Sequence, residues 1–394
     1  TFLKVRGGYG KTGNDNIEAF LYQDSYALNA KYAGKIVAML ERQANPNLGW
    51  EEAYMASFGI DATLYNNVNV TLELYNTLNT NLLLAVPTAP STGFFEKMDN
   101  VGSVRNRGIE LAVDGNIIKT RNFTWHAGFN IGLNRNVVES LPNGEFLQSN
   151  SNSMNQLVRE GEAIGTWYLP KWAGIDPANG DPLWYTGAKD EEGNLILDEN
   201  GNPETTKVFE NAANQIVGYA TPKFSGGINT SLSYKNFTLS MNGSFVYGNS
   251  IYNYTRKTMD ADGAYVNQNM MSHDNGLGWV RWSYEGQTDA THPKLESGTM
   301  RKTNSISSRY LEDGSFFRLR NVTLSYDVPT ATAKKLGMSG ARVFVSADNI
   351  WTYSKFSGMD PEVRMETSGS TLAGTYAENY PVPMTVSVGV DVKF

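Results

Sequence analysis

Residues 384–394 alternate without a break: Met384, Val386, Val388, Val390, Val392 and Phe394 are apolar, and Thr385, Ser387, Gly389, Asp391 and Lys393 between them are polar or small. Successive strand side chains point to opposite faces, so the pattern predicts a strand with one apolar and one wet face. About ten residues is the length a tilted strand needs to cross a bilayer. In a soluble sheet the apolar face turns inward to a core; in a membrane barrel it turns outward to lipid. One strand does not choose between the two.

The same alternation recurs upstream in pairs. Tyr54, Ala56, Phe58, Ile60 and Ala62 oppose Ser57, Gly59 and Asp61; past an Asn66-Asn67 turn, Val68, Val70, Leu72 and Leu74 oppose Asn69, Thr71 and Glu73. Ile109, Leu111 and Val113 lead through a turn at 119–122 to Phe123, Trp125, Ala127, Phe129, Ile131 and Leu133. A third pair sets Phe224, Ile228, Leu232 and Tyr234 before a Lys235-Asn236 turn, with Phe237, Leu239, Met241 and Phe245 after it. Residues 1–9, 316–328 and 341–349 predict further strands. Within 316–328, Arg318 and Arg320 share the parity of Val322, Leu324 and Tyr326. That demands either a bulge or a place at the membrane interface, because a lipid-facing Arg at mid-bilayer costs ~2–4 kcal/mol. Residues 163–175 and 183–186 predict one more pair, and 31–42 a short helix. The sum is roughly ten strands, or about twelve with that pair.

Short turns alternate with long connections, as they do in outer-membrane barrels. Tyr65, Phe123, Trp125, Tyr234, Phe237, Tyr326 and Phe394 gather at the short-turn ends, where an aromatic girdle at headgroup level is expected. The competing reading is a soluble all-β protein whose aromatics fill a core.

Composition favours the membrane. Hydrophobic residues make up 40% and aromatics 12%, but charged residues only 19%, against about 25% in soluble domains. A net charge of -7 carries no basic stripe for nucleic acid. No apolar run approaches the ~18 residues of a membrane helix, so a membrane location requires a barrel. The absence of cysteine excludes disulfides, thiolate metal sites and a Cys nucleophile. His126, His273 and His292 are far apart in sequence, and no hydrolase, zincin or phosphate-loop motif occurs, so neither an enzyme nor a catalytic residue is expected. Two acidic turns, at 190–194 and 198–202, hold carboxylates and amides that could ligate Ca²⁺. Neither completes a calcium loop, and an exposed hairpin with Gly193 and Gly201 in its turns is the preferred reading, with no metal or cofactor.

Six segments together resemble one family. They are Asn45-Pro46-Asn47-Leu48-Gly49-Trp50-Glu51; Asn100-Val101-Gly102-Ser103-Val104-Arg105-Asn106-Arg107-Gly108-Ile109-Glu110-Leu111; Lys171-Trp172-Ala173-Gly174-Ile175-Asp176-Pro177; Arg281-Trp282-Ser283-Tyr284-Glu285-Gly286; Asp313-Gly314-Ser315-Phe316-Phe317-Arg318-Leu319-Arg320-Asn321-Val322; and Tyr380-Pro381-Val382-Pro383. In this order, over nearly the whole chain, they resemble the SusC/RagA family of TonB-dependent outer-membrane transporters. The resemblance implies a barrel of about 22 strands with a plugged lumen. It also implies a SusD-like surface lipoprotein as lid, energy from the TonB complex, and import of oligosaccharides or peptides across the bacterial outer membrane. Residues 1–394 then read as the C-terminal part of an antiparallel transmembrane β-barrel, about ten to twelve of its strands, with the plug and early strands outside this chain.

An importer needs weak multipoint contacts, and sugar rings stack on aromatic faces while their hydroxyls pair with Asn, Asp and Arg. Trp279, Arg281, Trp282 and Tyr284 follow Asp274 and Asn275, and Trp351 and Tyr353 lie beside Asp348 and Asn349. These are the candidate substrate contacts, and they favour a glycan over a peptide; packing within loops or a place in the girdle is the rival role for the same rings. Glu73, Glu110, Asp114, Asp391 and Lys393, on polar faces, are expected to pair with wall arginines or the plug. A passive porin and a soluble carbohydrate-binding β-protein are the alternative functions.

Overall fold

The computed structural model describes residues 2–15, 19–94, 96–142, 144–149, 154–265, 278–298, 302–362, 372–377 and 379–394. Ten strands form its principal sheet: β1 (Phe2–Asn14), β2 (Glu51–Leu64), β3 (Val68–Thr80), β4 (Ser103–Lys119), β5 (Phe123–Ser140), β6 (Phe224–Tyr234), β7 (Phe237–Tyr247), β8 (Phe316–Val328), β9 (Gly340–Ser354) and β10 (Thr385–Lys393). Each strand neighbours the next in sequence, a meander that needs no crossover. The chain divides into two compact units. One holds β1 to β3 with the 103–113 and 132–140 portions of β4 and β5; the other holds the remaining portions of β4 and β5, then β6 to β10.

Turn chemistry sets the hairpins. Tyr65 and Asn66, between β2 and β3, have φ of 51° and 53°, and Lys235, between β6 and β7, has φ of 53°. Such left-handed backbone suits the right-handed twist of tight hairpins. The β8–β9 connection is longer and carries the helix α1 (Thr330–Lys335). The opposite strand ends are joined by long connections, such as 141–223 and 248–315.

Registers confirm the faces expected from alternation. Leu232 pairs with Leu239, and Tyr234 with Phe237, on one face; Ser231 pairs with Ser240, and Asn229 with Asn242, on the other. On β9 and β10, Val343 lies opposite Val390, Val345 opposite Val388 and Ala347 opposite Val386. Val386, Val388 and Val390 are 60%, 73% and 62% exposed. A continuous apolar surface of this kind is an aggregation hazard in water and the natural surface in lipid.

The arginine question is answered by a bulge. The β7–β8 register shifts between Asn242 and Gly243, so Asn321 pairs with Asn242 while Leu319 pairs with Gly243, leaving Arg320 as the extra residue. Leu319 and Phe317 therefore join the apolar face. Arg318 pairs with Ser244, and Arg320 Nε donates to Ser244 Oγ at 2.7 Å. Both guanidiniums lie on the polar side.

Two expectations are corrected. Residues 31–42 do not form a helix: strands Ser25–Tyr32 and Lys35–Arg42 make a hairpin about Ala33 and Gly34, both at positive φ. Residues 163–175 and 183–186 do not add a spanning pair. They form the short strands Thr166–Pro170, Trp172–Ile175 and Pro182–Tyr185, which belong to small separate sheets. Trp167 and Trp184 within them are fully buried. The acidic turns form the expected hairpin arrangement, with isolated bridges Lys189 to Leu195 and Leu197 to Pro203. Asp190 Oδ1 there accepts the backbone N–H groups of Glu192 and Asn194 at 3.0 and 2.8 Å.

Candidate functional site

In the second unit, three long connections fold together into a layer with its own core. Strand Thr166–Pro170 pairs with Asn214–Tyr219, and Ser250–Asn253 pairs antiparallel with Leu311–Asp313 and parallel with Thr375–Tyr376. Met154, Trp167, Leu169, Tyr252, Tyr310 and Leu372 are buried against one another. Trp167 Nε1 donates to the Ser250 carbonyl at 3.3 Å, and its ring lies 5.7 Å from that of Tyr252. Fully burying each such side chain stabilises the layer by roughly 1.5–3 kcal/mol, so these loops hold a defined shape.

Beside that core lies a knot of buried charge. A second helix, Tyr254–Met259, is followed at once by Asp260 and Asp262. Arg309, almost fully buried, hydrogen-bonds Asp262, reaches Asp260 at 3.3 Å and donates to the Thr303 carbonyl at 3.0 Å. Arg281 meets Asp262 at 2.8 Å, and Arg256 meets Glu312 at 2.9 Å. His292 Nε2 lies 2.8 Å from Asp260 Oδ2. Burial would raise the Asp260 carboxyl, but Arg309 and then His292 hold it below the ordinary carboxylate range. Burial pushes the His292 imidazole below its ordinary value, against the pull of Asp260. For Arg309 burial acts downward, and Tyr310, Asp262 and Asp260 outweigh it, holding the guanidinium firmly charged. Carboxylates and guanidiniums thus offset one another's charge and brace the layer, although Asp260 Oδ1, Arg256 Nε and Arg309 Nε are buried without a hydrogen-bond partner among the described residues.

The candidate residues from sequence are dispersed. Trp279 is packed against two groups of the knot: the Arg256 guanidinium sits 4.4 Å from its ring centre and the His292 ring 5.1 Å away. Arg281 is held by Asp262 and by the Pro293 carbonyl at 2.9 Å. Trp282 donates Nε1 to the Pro177 carbonyl at 3.0 Å and lies over Gly180, where a Cβ would stand 2.6 Å from its ring. Tyr284 is 62% exposed. Trp351 pairs with Leu319 and Tyr353 with Phe317, so both rings lie on the apolar face of the sheet. Asp274, Asn275 and His273 lie outside the described residues. Arg281 and Trp279 are brought to the charge knot, Trp282 stands next to it, and Trp351 and Tyr353 belong to the wall.

The same layer contains a cavity of about 450 Å³. Leu169 and Phe209 contribute apolar wall, and Lys257, Asn214, Asn304 and Ser305 contribute polar groups. Sequence reading missed Lys257, Asp260 and Arg309. The one available signal was Asp260-Ala261-Asp262 in a charge-poor chain.

Comparison with known proteins places this architecture. The sequence model described as TonB dependent receptor-like, beta-barrel matches residues 2–221, more than half of the chain. The chain belongs to that family. TonB-dependent receptor P3 of Formosa agariphila is 29% identical over all of this chain and 39% of its own length. TonB-dependent receptor SusC of Bacteroides thetaiotaomicron is 26% identical over all of this chain and 37% of its own length. The fold matches the solved structure of the RagAB peptide importer in the "closed-closed" state with a TM-score of 0.81 at 24% identity, covering 100% of this chain and 41% of that one. The chain therefore spans about two fifths of the length of these relatives.

As a TonB dependent receptor-like barrel the protein resides in the outer membrane, and its sheet faces acquire their meaning. The valine-rich face meets lipid and the Ser/Asn face turns inward. Arg318, 3% exposed, escapes lipid by turning inward, where it pairs with Asp360 and reaches Glu362 at 2.9 Å. Arg320 meets the same Glu362 at 2.7 Å. The loop after β9 is thereby tied to the inner wall.

Proposed function

We propose that this chain supplies the wall and the outer loop layer of a TonB-energised importer of an oligomeric nutrient, working with a SusD-like surface lipoprotein. The observation that carries the reading is the loop layer itself: it has a hydrophobic core and a buried charge knot, and so forms a pre-shaped platform at one end of a lipid-facing sheet. A passive pore has no need of so rigid a platform. Preshaping lowers the ordering cost of capturing a dilute ligand. The family and the relatives named above support the TonB partner, and the likeness to SusC supports the lipoprotein. The rings that favoured a glycan are engaged in packing or face lipid, apart from Tyr284. Recognition is therefore assigned to the polar and charged groups of the layer and lumen, with the oligomer's backbone chemistry decided by experiment.

The test is uptake by cells carrying the full-length transporter, with and without a functional TonB system, and with and without the adjacent lipoprotein. Uptake that disappears in both deletions is expected. Uptake unaffected by loss of TonB would replace this reading with a passive porin.

A further inference from the structure

One cation in the loop layer has no role in the knot. Lys257 lies in the Tyr254–Met259 helix, two residues before Met259, yet it turns to the cavity instead of to Asp260 or Glu312. Among the described residues it forms no ion pair; its ammonium lies 5.3 Å from the centre of the Tyr254 ring. Arg256 beside it has Glu312, Arg281 has Asp262, and Arg309 has both aspartates. Nearby, Lys302 is paired with Glu210. Burial alone pushes the Lys257 ammonium below its ordinary value, with no carboxylate to offset it. A half-buried charge left uncompensated is costly, and sites that bind ligands are where such costs persist.

We propose that the 450 Å³ cavity is a binding site for a carboxylate carried by an oligomeric ligand, with Lys257 as the counter-charge and the amides of Asn214 and Asn304 as flanking donors. The volume falls in the range of about 300–1,000 Å³ typical of ligand pockets. Leu169 and Phe209 keep water from part of the wall, which strengthens the attraction between ammonium and carboxylate. Ser305 adds a hydroxyl donor to the lining. Lysine suits the task because its compact charge meets a carboxylate in many orientations, as a site for varied oligomers requires. An acidic sugar and a peptide C-terminus both present such a carboxylate; the chemistry is shared. This inference rests on the import reading only for the ligand being an oligomer.

The experiment is calorimetric titration of the purified full-length transporter with two acidic probes, trigalacturonate and N-acetyl-trialanine, and their neutral counterparts, the methyl-esterified sugar and the peptide amide. One acid is expected to bind at least about tenfold more tightly than its neutral form. Lys257→Met should abolish that preference, and Lys257→Arg should retain part of it. Preference for trigalacturonate assigns an acidic glycan, and preference for N-acetyl-trialanine a peptide. Absence of preference for both acids, or a preference that survives in a Lys257→Met protein with an unchanged thermal transition, overturns the site. TonB-independent uptake with the Lys257-dependent preference intact would instead remove the import reading and leave the site standing.

Discussion

Arg6 on β1 reaches Glu73 on β3 at 2.9 Å, passing over Gly59 of the strand between them. Its Nε also meets Asp61 at 3.1 Å. A Cβ at Gly59 would stand 2.6 Å from the guanidinium carbon of Arg6, so the missing side chain is what lets one arginine brace three strands. The expectation that Glu73 pairs with a wall arginine is met. Tyr75 repeats the device over Gly108, donating its hydroxyl to Asn134 at 3.1 Å.

Gly59→Val should therefore lower the thermal transition of the full-length protein, as should Arg6→Met, and the double variant should fall no further than the worse single one. These groups are solvent-accessible, so the effects should shrink in about 1 M salt. Additive losses in a double-mutant cycle would show that the two positions act separately.

Arg309 is the keystone of the charge knot, since it alone meets both Asp260 and Asp262 among the described residues. Removing one partner of a buried ion pair typically costs about 3–5 kcal/mol because the other charge stays buried and unpaired. Arg309→Met should open the loop layer to limited proteolysis while the barrel strands stay resistant. An unchanged cleavage pattern would mean that the hydrophobic core holds the layer without the knot.

Trp351 and Tyr353 face the same way as Leu319 and Phe317. Replacing either by alanine should leave ligand affinity within about twofold of wild type. A spin label at position 351 should be relaxed more by oxygen, which partitions into lipid, than by a soluble nickel chelate. A label at 352, whose threonine hydroxyl accepts from Arg318 at 3.0 Å, should show the reverse. Equal response at the two positions would contradict the register.

Acid should weaken the loop layer in two stages. Burial depresses the folded-state value of His292, despite Asp260, so the unfolded chain takes up that proton first. The stabilisation is complete above the ordinary imidazole value of about 6.5 and declines as pH falls from there toward the folded value. Asp260, held low by Arg309 and His292 against burial, contributes above the ordinary carboxylate range of about 3.9 and loses that contribution as pH falls toward its folded value. The thermal transition should be lower at about pH 5 than at about pH 7.5, and His292→Gln should remove most of that difference. A variant with the wild-type pH slope would move the effect elsewhere.

Much of the wall was legible in the sequence alone. Residues 224–234, 237–245 and 316–328 showed their strands and faces, because alternation follows from backbone geometry within a single strand. Asn66 and Lys235 marked tight turns for an equally local reason, and the ordered family segments pointed to a TonB-dependent barrel. Only the tertiary structure decided which way Arg318 and Arg320 turn, since a bulge exists only relative to a partner strand. The same holds for Trp351, whose face depends on the register shift between Leu319 and Asn321. The short strands at Thr166–Pro170 and Pro182–Tyr185 carried apolar residues that a bilayer or a loop core would accept equally, and burial of Trp167 and Trp184 chose the core. Asp260 and Arg309 are 49 residues apart, and Lys257 meets Asn304 only across a folded cavity. Pairings at that distance leave no periodic trace along a chain; they arise when separate loops pack, which is where the candidate site of this protein lies.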